Sequence, residues 1–342
     1  MSKMIRWLEL EYVEMHGSRG KRHEYLGMWL DYSVPGEVRI LMEDYLSGVL
    51  DDFPEEITES PETPAATNLF NVREENEREP LNETRAQAFH RTVAQLLFNG
   101  IRCRKDAQTA IAFLTTRVRN LDEDDWKKLW RLLGYLKRKI NLPLILQADG
   151  VNVLKWWIGA SYAAHDDMRE HTGGTMSMGK NGRGSIISIS KKQKMNTKSS
   201  TEAELIGADD AMPQMIQTRY FLEAQGYGIG ENVLYQDNMS AILLERNGKK
   251  SCMKNTKHIN VRYYFIKDRF ESGEVVIEHC PTTEMLEHFF TKPLQGVLFS
   301  KFRAEIMNIP DDINMDEMGM DGTGMNNGVT RKLHNETDTE GP

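Results

Sequence analysis

Two acidic residues stand where a helix and a strand could bring their carboxylates together. Glu204 lies in the first turns of a predicted helix whose cap candidates are residues 199–201, and Asp237 ends the short apolar strand VLYQ. One helix and its return to the sheet separate them, so both can converge above one sheet edge. Carboxylates placed in this way hold Mg²⁺ for phosphodiester chemistry. The same acids could instead cap the helix and open a turn, which acids do routinely.

The elements that would position these acids alternate between strands and helices from about residue 144 onward. The hydrophobic periodicity and the Gly-rich turn predict a strand, a hairpin, a helix, a strand, two helices, a strand and the start of a last helix. In order, these segments are LKWWIGASYAAH, TGGTMSMGKNGRGSIISIS, the helix from Ser200 to about Gln225 with an interruption near Pro213, VLYQDN, NMSAILLERNG, TKHINVRYYFIKDRFESG, EVVIEHCP and TTEMLEHFFTKPLQG.

Upstream of residue 144 the pattern is different. WLELEYVEM and YLGMWLDYSV alternate like the two strands of a hairpin, whereas the Pro- and Glu-rich residues 54–83 indicate an extended, exposed connection. Residues 85–139 show the spacing of two or three packed helices. The Gly-, Asn- and Asp-rich tail after Pro310 is predicted to be disordered. We therefore divide the chain into four segments: 1–48, 49–143, 144–309 and 310–342.

Composition excludes several classes of protein. The 342 residues carry a formal net charge of −8, which argues against a general nucleic-acid coat protein, although a basic cluster at residues 191–198 permits a local basic groove. No run approaches ~18 consecutive apolar residues, and the N-terminus has no signal-peptide pattern. The three cysteines contain no CxxC pair. We expect an intracellular protein, cytoplasmic or nuclear, with no membrane partner.

The motifs resemble one family. STEAEL, VLYQDN, TKHINVRYYFI and PTTEMLEHFFTKPLQG, in this order and at these intervals, resemble the C-terminal ribonuclease H domain of copia-type (Ty/copia) retrotransposon Pol polyproteins. KRHEYLGMWLDYS resembles the end of the reverse-transcriptase palm in that family, and AFHRTVAQLLF and QTAIAFLTTRV resemble its linking helices. The resemblance covers about Arg6 to Ile309. It implies an α/β, ribonuclease H-like mixed five-stranded sheet with flanking helices, preceded by a partial palm hairpin and a helical thumb or connection.

This resemblance also implies a chemistry, which is cleavage of the RNA strand of RNA/DNA hybrids by two Mg²⁺ or Mn²⁺ ions held by four acids. Carried over position by position, Glu204 and Asp237 are the second and third acids. Gly159 occupies the first-strand position, and His288 occupies the last-helix position. The resemblance implies that the first-strand acid bridges both metals, so Gly159 removes the central ligand, and His288 is a poor Mg²⁺ ligand although an imidazole could bind a transition metal. We therefore expect Mg²⁺ or Mn²⁺ binding to be weak or absent and cleavage to be lost or severely weakened.

Acidic residues near Gly159 and His288 in the sequence are poorly placed to replace the two missing metal ligands. Asp149 is too far from Gly159 along the strand, while Asp166 and Asp167 follow a predicted turn. In a continuous last helix, Glu287 would be rotated by ~100° from the required direction and Glu284 would lie a turn away, ~5 Å. The family's Tyr-X-Asp-Asp polymerase motif is also missing, so we predict no polymerase activity.

Further residues could bind the phosphates of a hybrid, namely Lys191, Lys194, Lys198, Ser200, Asn238 and Lys292. A solvated Lys-rich strand end is the alternative explanation. Three hypotheses remain: a catalytically defective Pol remnant that still binds hybrid, an active ribonuclease H with other metal ligands, and a fold reused to bind proteins. Nucleic acid, upstream Pol segments or another protein are the corresponding partners.

Overall fold

The computed structural model describes residues 2–12, 19–247 and 257–309. The tail that we predict to be disordered, residues 310–342, lies outside them. Within the described part, no helix has the length and apolar character needed to cross a membrane. Two sheets and the helices around them make up this part of the chain.

A four-stranded antiparallel sheet forms first. It contains β1 (Arg22–Tyr25), β2 (Met28–Asp31), β3 (Glu37–Leu41) and β4 (Leu144–Gln147), in that order. The β1–β2 turn has positive φ at Leu26 (50°) and Gly27 (72°), as a tight hairpin with right-handed strand twist requires. β4 belongs to the segment that we began at residue 144, yet it pairs with β3. The segment boundaries remain predictions.

The prediction of a strand in WLELEYVEM is wrong, because residues 2–11 form helix α1 (Ser2–Glu11). Short apolar alternation is ambiguous between strand and helix, and Leu, Met, Glu and Arg all favour a helix. The run YLGMWLDYSV supplies residues of both hairpin strands, with the turn inside it. Local alternation therefore identified a hairpin but not its correct strands.

Helices α2 (Glu43–Asp51), α3 (Glu83–Arg102), α4 (Gln108–Arg117) and α5 (Glu123–Arg138) build the first core. Asp122 and Asp125 form a reciprocal capping box that starts α5. The prediction that residues 54–83 are exposed is wrong in part, because Ile57, Leu69 and Phe70 are buried in this core. Few apolar groups lie in this segment, but several of them insert between the helices.

The second sheet contains β5 (Val153–Ser161), β6 (His171–Met178), β7 (Ile187–Lys192), β8 (Glu231–Gln236) and β9 (Val276–His279), in the order β7-β6-β5-β8-β9. β5, β6 and β7 pair antiparallel, whereas β8 pairs parallel with both β5 and β9. This order and these directions are those of the ribonuclease H fold. The predicted fold class is confirmed.

Helices cover this sheet and connect its strands: α6 (Ser200–Ala224), α7 (Met239–Asn247), α8 (Lys257–Glu271), α9 (His288–Thr291) and α10 (Gly296–Met307). Trp156 and Ile158 of β5 pack in one core with Leu205 and Met212 of α6. α6 runs through Pro213 without the predicted interruption. Pro213 is exposed, so water can satisfy backbone groups that its ring leaves unpaired.

Candidate metal centre

Glu204 points toward the end of β5. Ser199 caps α6 by accepting a hydrogen bond from the Glu202 N–H (3.2 Å), so Glu204 itself is not the cap. Instead, the Ala160 N–H donates to Glu204 Oε2 (3.0 Å). The Glu204 residue is only 8% exposed. The helix start thus delivers a buried carboxylate beside Gly159, the position at which the family resemblance requires the first acid.

Asp237 directly follows β8 and meets the segment before α9. The Thr282 hydroxyl donates to Asp237 Oδ2 (3.1 Å), and His288 Nε2 lies 3.7 Å from the same oxygen. The Asp237 side chain is 17% exposed to solvent. Its carboxylate is therefore fixed by protein groups and remains reachable from solvent.

Glu287 occupies the space that an acid at Gly159 would need. A Cβ built on Gly159 would lie 2.8 Å from Glu287 Cδ and 2.9 Å from Glu204 Oε2. The Thr291 hydroxyl donates to Glu287 Oε2 (2.9 Å), and Glu287 is 2% exposed. The prediction that Glu287 points away is therefore wrong.

The error has a local geometric cause. Residues 282–284 form a short 3₁₀ turn and Met285 is extended (φ −77°, ψ 96°), so 284–291 is not one helix and the helical projection does not apply. α9 also lies close to Gly173, where a Cβ would be 2.9 Å from Glu287 O. This close backbone approach, which Gly173 permits, turns Glu287 toward Gly159.

His288 completes a compact group of ligand atoms. Its Nε2 lies 3.0 Å from Glu287 Oε1 and 3.7 Å from Asp237 Oδ2. Asp237, Glu287 and His288 each offer one ligand atom within 4.8 Å of the other two. Glu204 lies next to Glu287 at the Gly159 side of this group.

Burial dominates the electrostatics of the site. It raises the pKa of Glu204 well above the usual value, and the neighbouring Glu287 and Asp237 carboxylates add to this effect. Burial raises the pKa of Glu287 to about 8, against the opposing charge of Lys292. Burial and Lys292 lower the pKa of His288, with Asp237 opposing them. Crowded buried acids of this kind hold protons until a cation replaces them.

The donor set fits one divalent cation. Two carboxylates and an imidazole converge, and a third carboxylate, that of Glu204, stands beside them. Oxygen donors alone suit Mg²⁺, whereas an imidazole is a typical ligand of transition metals. The other acids considered as replacements take no part: the Asn181 N–H donates to Asp149 (3.0 Å), Asp167 pairs with Lys192 (2.8 Å), and Asp166 and Glu284 are exposed.

The predicted phosphate-binding residues lie in three parts of the chain, from the end of β7 to the start of α6, after β8 and after α9. Lys194, Lys198 and Ser200 are exposed near the start of α6, and Lys191 is exposed and paired with Asp210 (3.1 Å). Lys292 is exposed immediately after α9. In contrast, Asn238 Oδ1 accepts hydrogen bonds from the N–H groups of Ser240 and Ala241 (3.0 and 3.1 Å). The Asn238 side chain oxygen is therefore engaged with the backbone at the start of α7.

The five-stranded sheet, its helices and the carboxylates near Gly159 define a ribonuclease H-like domain. No protein-family model matches the chain. The chain is 28% identical over 200 residues to the retrovirus-related Pol polyprotein from transposon TNT 1-94 of Nicotiana tabacum, covering 58% of this chain and 15% of that protein. It is 29% identical over 204 residues to the Pol polyproteins from transposons RE2 and RE1 of Arabidopsis thaliana, covering 59% of this chain and 14% of each relative.

The resemblance to copia-type Pol polyproteins is therefore confirmed, and the chain spans about 15% of the length of the first of these relatives. One solved structure, the foamy viral protease-reverse transcriptase in complex with RNA/DNA hybrid, also aligns with the chain. The alignment covers 77% of this chain and 29% of the matched chain in the viral structure, with a TM-score of 0.44 and 13% sequence identity.

Proposed function

We propose that this chain is a Pol-derived, ribonuclease H-like module that has lost two-metal cleavage and still binds RNA/DNA hybrids. One observation carries the proposal. β5 presents Gly159 where a carboxylate is needed to bridge two metal ions, and the buried Glu287 side chain fills that space. The site thus has acids, but their arrangement differs from the one that cleavage requires.

Two-metal catalysis needs two cations ~3.5–4 Å apart, one at the attacking and one at the leaving oxygen. Among the described residues, a single group of three convergent ligands occurs at this site. Glu287 immediately precedes the one-turn helix α9 and is held by Thr291, so it does not reproduce a bridging ligand fixed on a strand. This arrangement supports loss of Mg²⁺-dependent cleavage.

Binding of a hybrid is supported by exposed basic residues just before α6, which carries Glu204, and just after α9, which Glu287 precedes. Lys194 and Lys198 precede α6, whose backbone N–H groups also favour anions, and Lys292 follows α9. The resemblance to Pol polyproteins implies an RNA/DNA hybrid as the ligand. The intracellular compartment, cytoplasmic or nuclear, stays a prediction.

The experiment measures hybrid binding and cleavage by the full chain. A labelled RNA/DNA hybrid is titrated in EDTA at several salt concentrations, and its cleavage is followed separately in Mg²⁺ or Mn²⁺. With about three lysines on phosphates, log K should fall with log[salt] with a slope near −2 to −3. Lys194→Ala with Lys198→Ala should weaken binding and flatten the slope, whereas Lys127→Ala on α5 is the matched exposed control.

Restoring cleavage requires more than the two missing acids. Gly159→Asp and His288→Asp should be combined with Glu287→Ala, because an aspartate at residue 159 needs the volume that Glu287 occupies. Cleavage by the original chain in Mg²⁺, abolished by Asp237→Asn, would show that the active-nuclease hypothesis is correct. Hybrid binding that is absent or independent of salt would favour a protein-interaction module instead.

A further inference from the structure

We propose that Asp237, Glu287 and His288 form a single-cation site that prefers a transition metal such as Zn²⁺ to Mg²⁺. This inference deepens the proposed function, because it says which cation the altered site takes. Two of the three ligands depart from the all-carboxylate set implied by the family resemblance, Glu287 in position and His288 in kind, whereas Asp237 belongs to that set.

The spacing of the donor atoms fits such an ion. Zn²⁺ binds nitrogen and oxygen ligands at ~2.0–2.2 Å, so two ligands of a tetrahedral ion lie ~3.4 Å apart. His288 Nε2 is 3.0 Å from Glu287 Oε1 and 3.7 Å from Asp237 Oδ2. These distances bracket the tetrahedral value. Small side-chain adjustments would therefore suffice to place one ion among the three groups.

A neighbouring threonine orients each of the two carboxylate ligands. Thr291 donates to Glu287 Oε2, which leaves Oε1 facing His288. The Thr282 hydroxyl donates to Asp237 Oδ2 (3.1 Å). Outer-shell contacts of this kind fix ligand orientation in metal proteins. The two threonines thus hold the carboxylates in place, and His288 Nε2 faces an oxygen of each.

The chemistry of the donors determines the selectivity. Mg²⁺ demands near-ideal octahedral oxygen coordination and keeps much of its water, so replacing a carboxylate by an imidazole weakens its binding. Zn²⁺ and Co²⁺ accept imidazole nitrogen readily, and three protein ligands leave a position for water. Asp237 retains 17% exposure, which provides a route for the ion and that water.

The test uses Co²⁺ as a coloured probe of the full, metal-stripped chain, without nucleic acid. We expect a visible absorption band that saturates at one ion per chain, is displaced by equimolar Zn²⁺ and persists in millimolar Mg²⁺. His288→Leu should reduce Co²⁺ affinity by more than the roughly 10–100-fold that outer-shell changes cause. Thr291→Val should fall within that range, and the exposed His279→Gln should leave affinity unchanged.

Two controls keep the outcome decisive. Circular dichroism checks that each variant is folded, and Glu287→Gln replaces His288→Leu if the latter does not fold. The proposal is overturned if the folded wild-type chain gives no band, if Mg²⁺ displaces Co²⁺, or if the band survives His288→Leu but is lost in Cys280→Ser. Hybrid binding is measured separately in EDTA, so failure of the metal site leaves the proposed hybrid binding to be judged alone.

Discussion

Gly159 and Glu287 should be energetically coupled, because both cannot place a side chain in the same volume. The test perturbation is Gly159→Ala, made in the wild-type chain and in a Glu287→Ala background. In the wild-type chain the new methyl group would lie 2.8 Å from Glu287 Cδ and 2.9 Å from Glu287 Cγ. Carbon atoms in favourable contact are ~3.5–4.0 Å apart, so the pair must separate by almost an ångström.

The magnitude follows from this overlap. Overpacking a buried site costs about 1–3 kcal/mol of unfolding free energy. Without the Glu287 side chain, the remaining close atom is Glu204 Oε2, the terminal atom of a side chain that can shift into the space left by Glu287. Replacement of Gly by Ala then gains about 0.4–1 kcal/mol from the reduced entropy of the unfolded chain. The coupling energy between residues 159 and 287 should therefore be at least about 1 kcal/mol.

The assay is urea unfolding of the four proteins of the double-mutant cycle, at neutral pH and in EDTA. Gly48→Ala is the matched control, because a Cβ at this exposed helical position meets nothing within 4 Å. It should stabilise the chain by about 0.5–1 kcal/mol in both backgrounds. Additive effects of the 159 and 287 substitutions would refute the steric argument, and with it the reason why Gly159→Asp alone should not restore the site.

Two further predictions use the same unfolding assay. Burial lowers the pKa of His165 to about 4 and that of His171 to about 3, from 6.5, so the folded state binds fewer protons and loses stability as pH falls below about 6.5. At about 1.4 kcal/mol per pKa unit, the loss of unfolding free energy amounts to a few kcal/mol near pH 4. His171→Gln should make the unfolding free energy depend less on pH. If the variant shows the same pH dependence as the wild-type chain, His171 is not one of the groups responsible. Asp106→Ala should cost about 3–5 kcal/mol, because it leaves Arg104, paired at 2.8 Å and 1% exposed, as a buried unpaired charge. A loss of unfolding free energy below about 1 kcal/mol would mean that water solvates the Arg104 guanidinium in the variant.

Several features of the fold followed from sequence because they depend on local pattern. The periodicity of LKWWIGASYAAH and VLYQDN predicted β5 and β8, and the motif order predicted the sheet around them. The convergence of Glu204 and Asp237 on one sheet edge followed from the strand–helix–strand order. The alternation of apolar and polar residues wrongly predicted a strand where α1 forms, because so short a run fits the period of a helix as well as that of a strand.

The composition of the site was decided by tertiary structure. Sequence placed Gly159 and His288 where acids were expected, but it could not place Glu287 beside Gly159. That position depends on the extended Met285, on the close approach of α9 to Gly173, and on the space that the missing Cβ of Gly159 leaves. These contacts join residues more than a hundred positions apart, and such packing leaves no trace in the local periodicity of either segment.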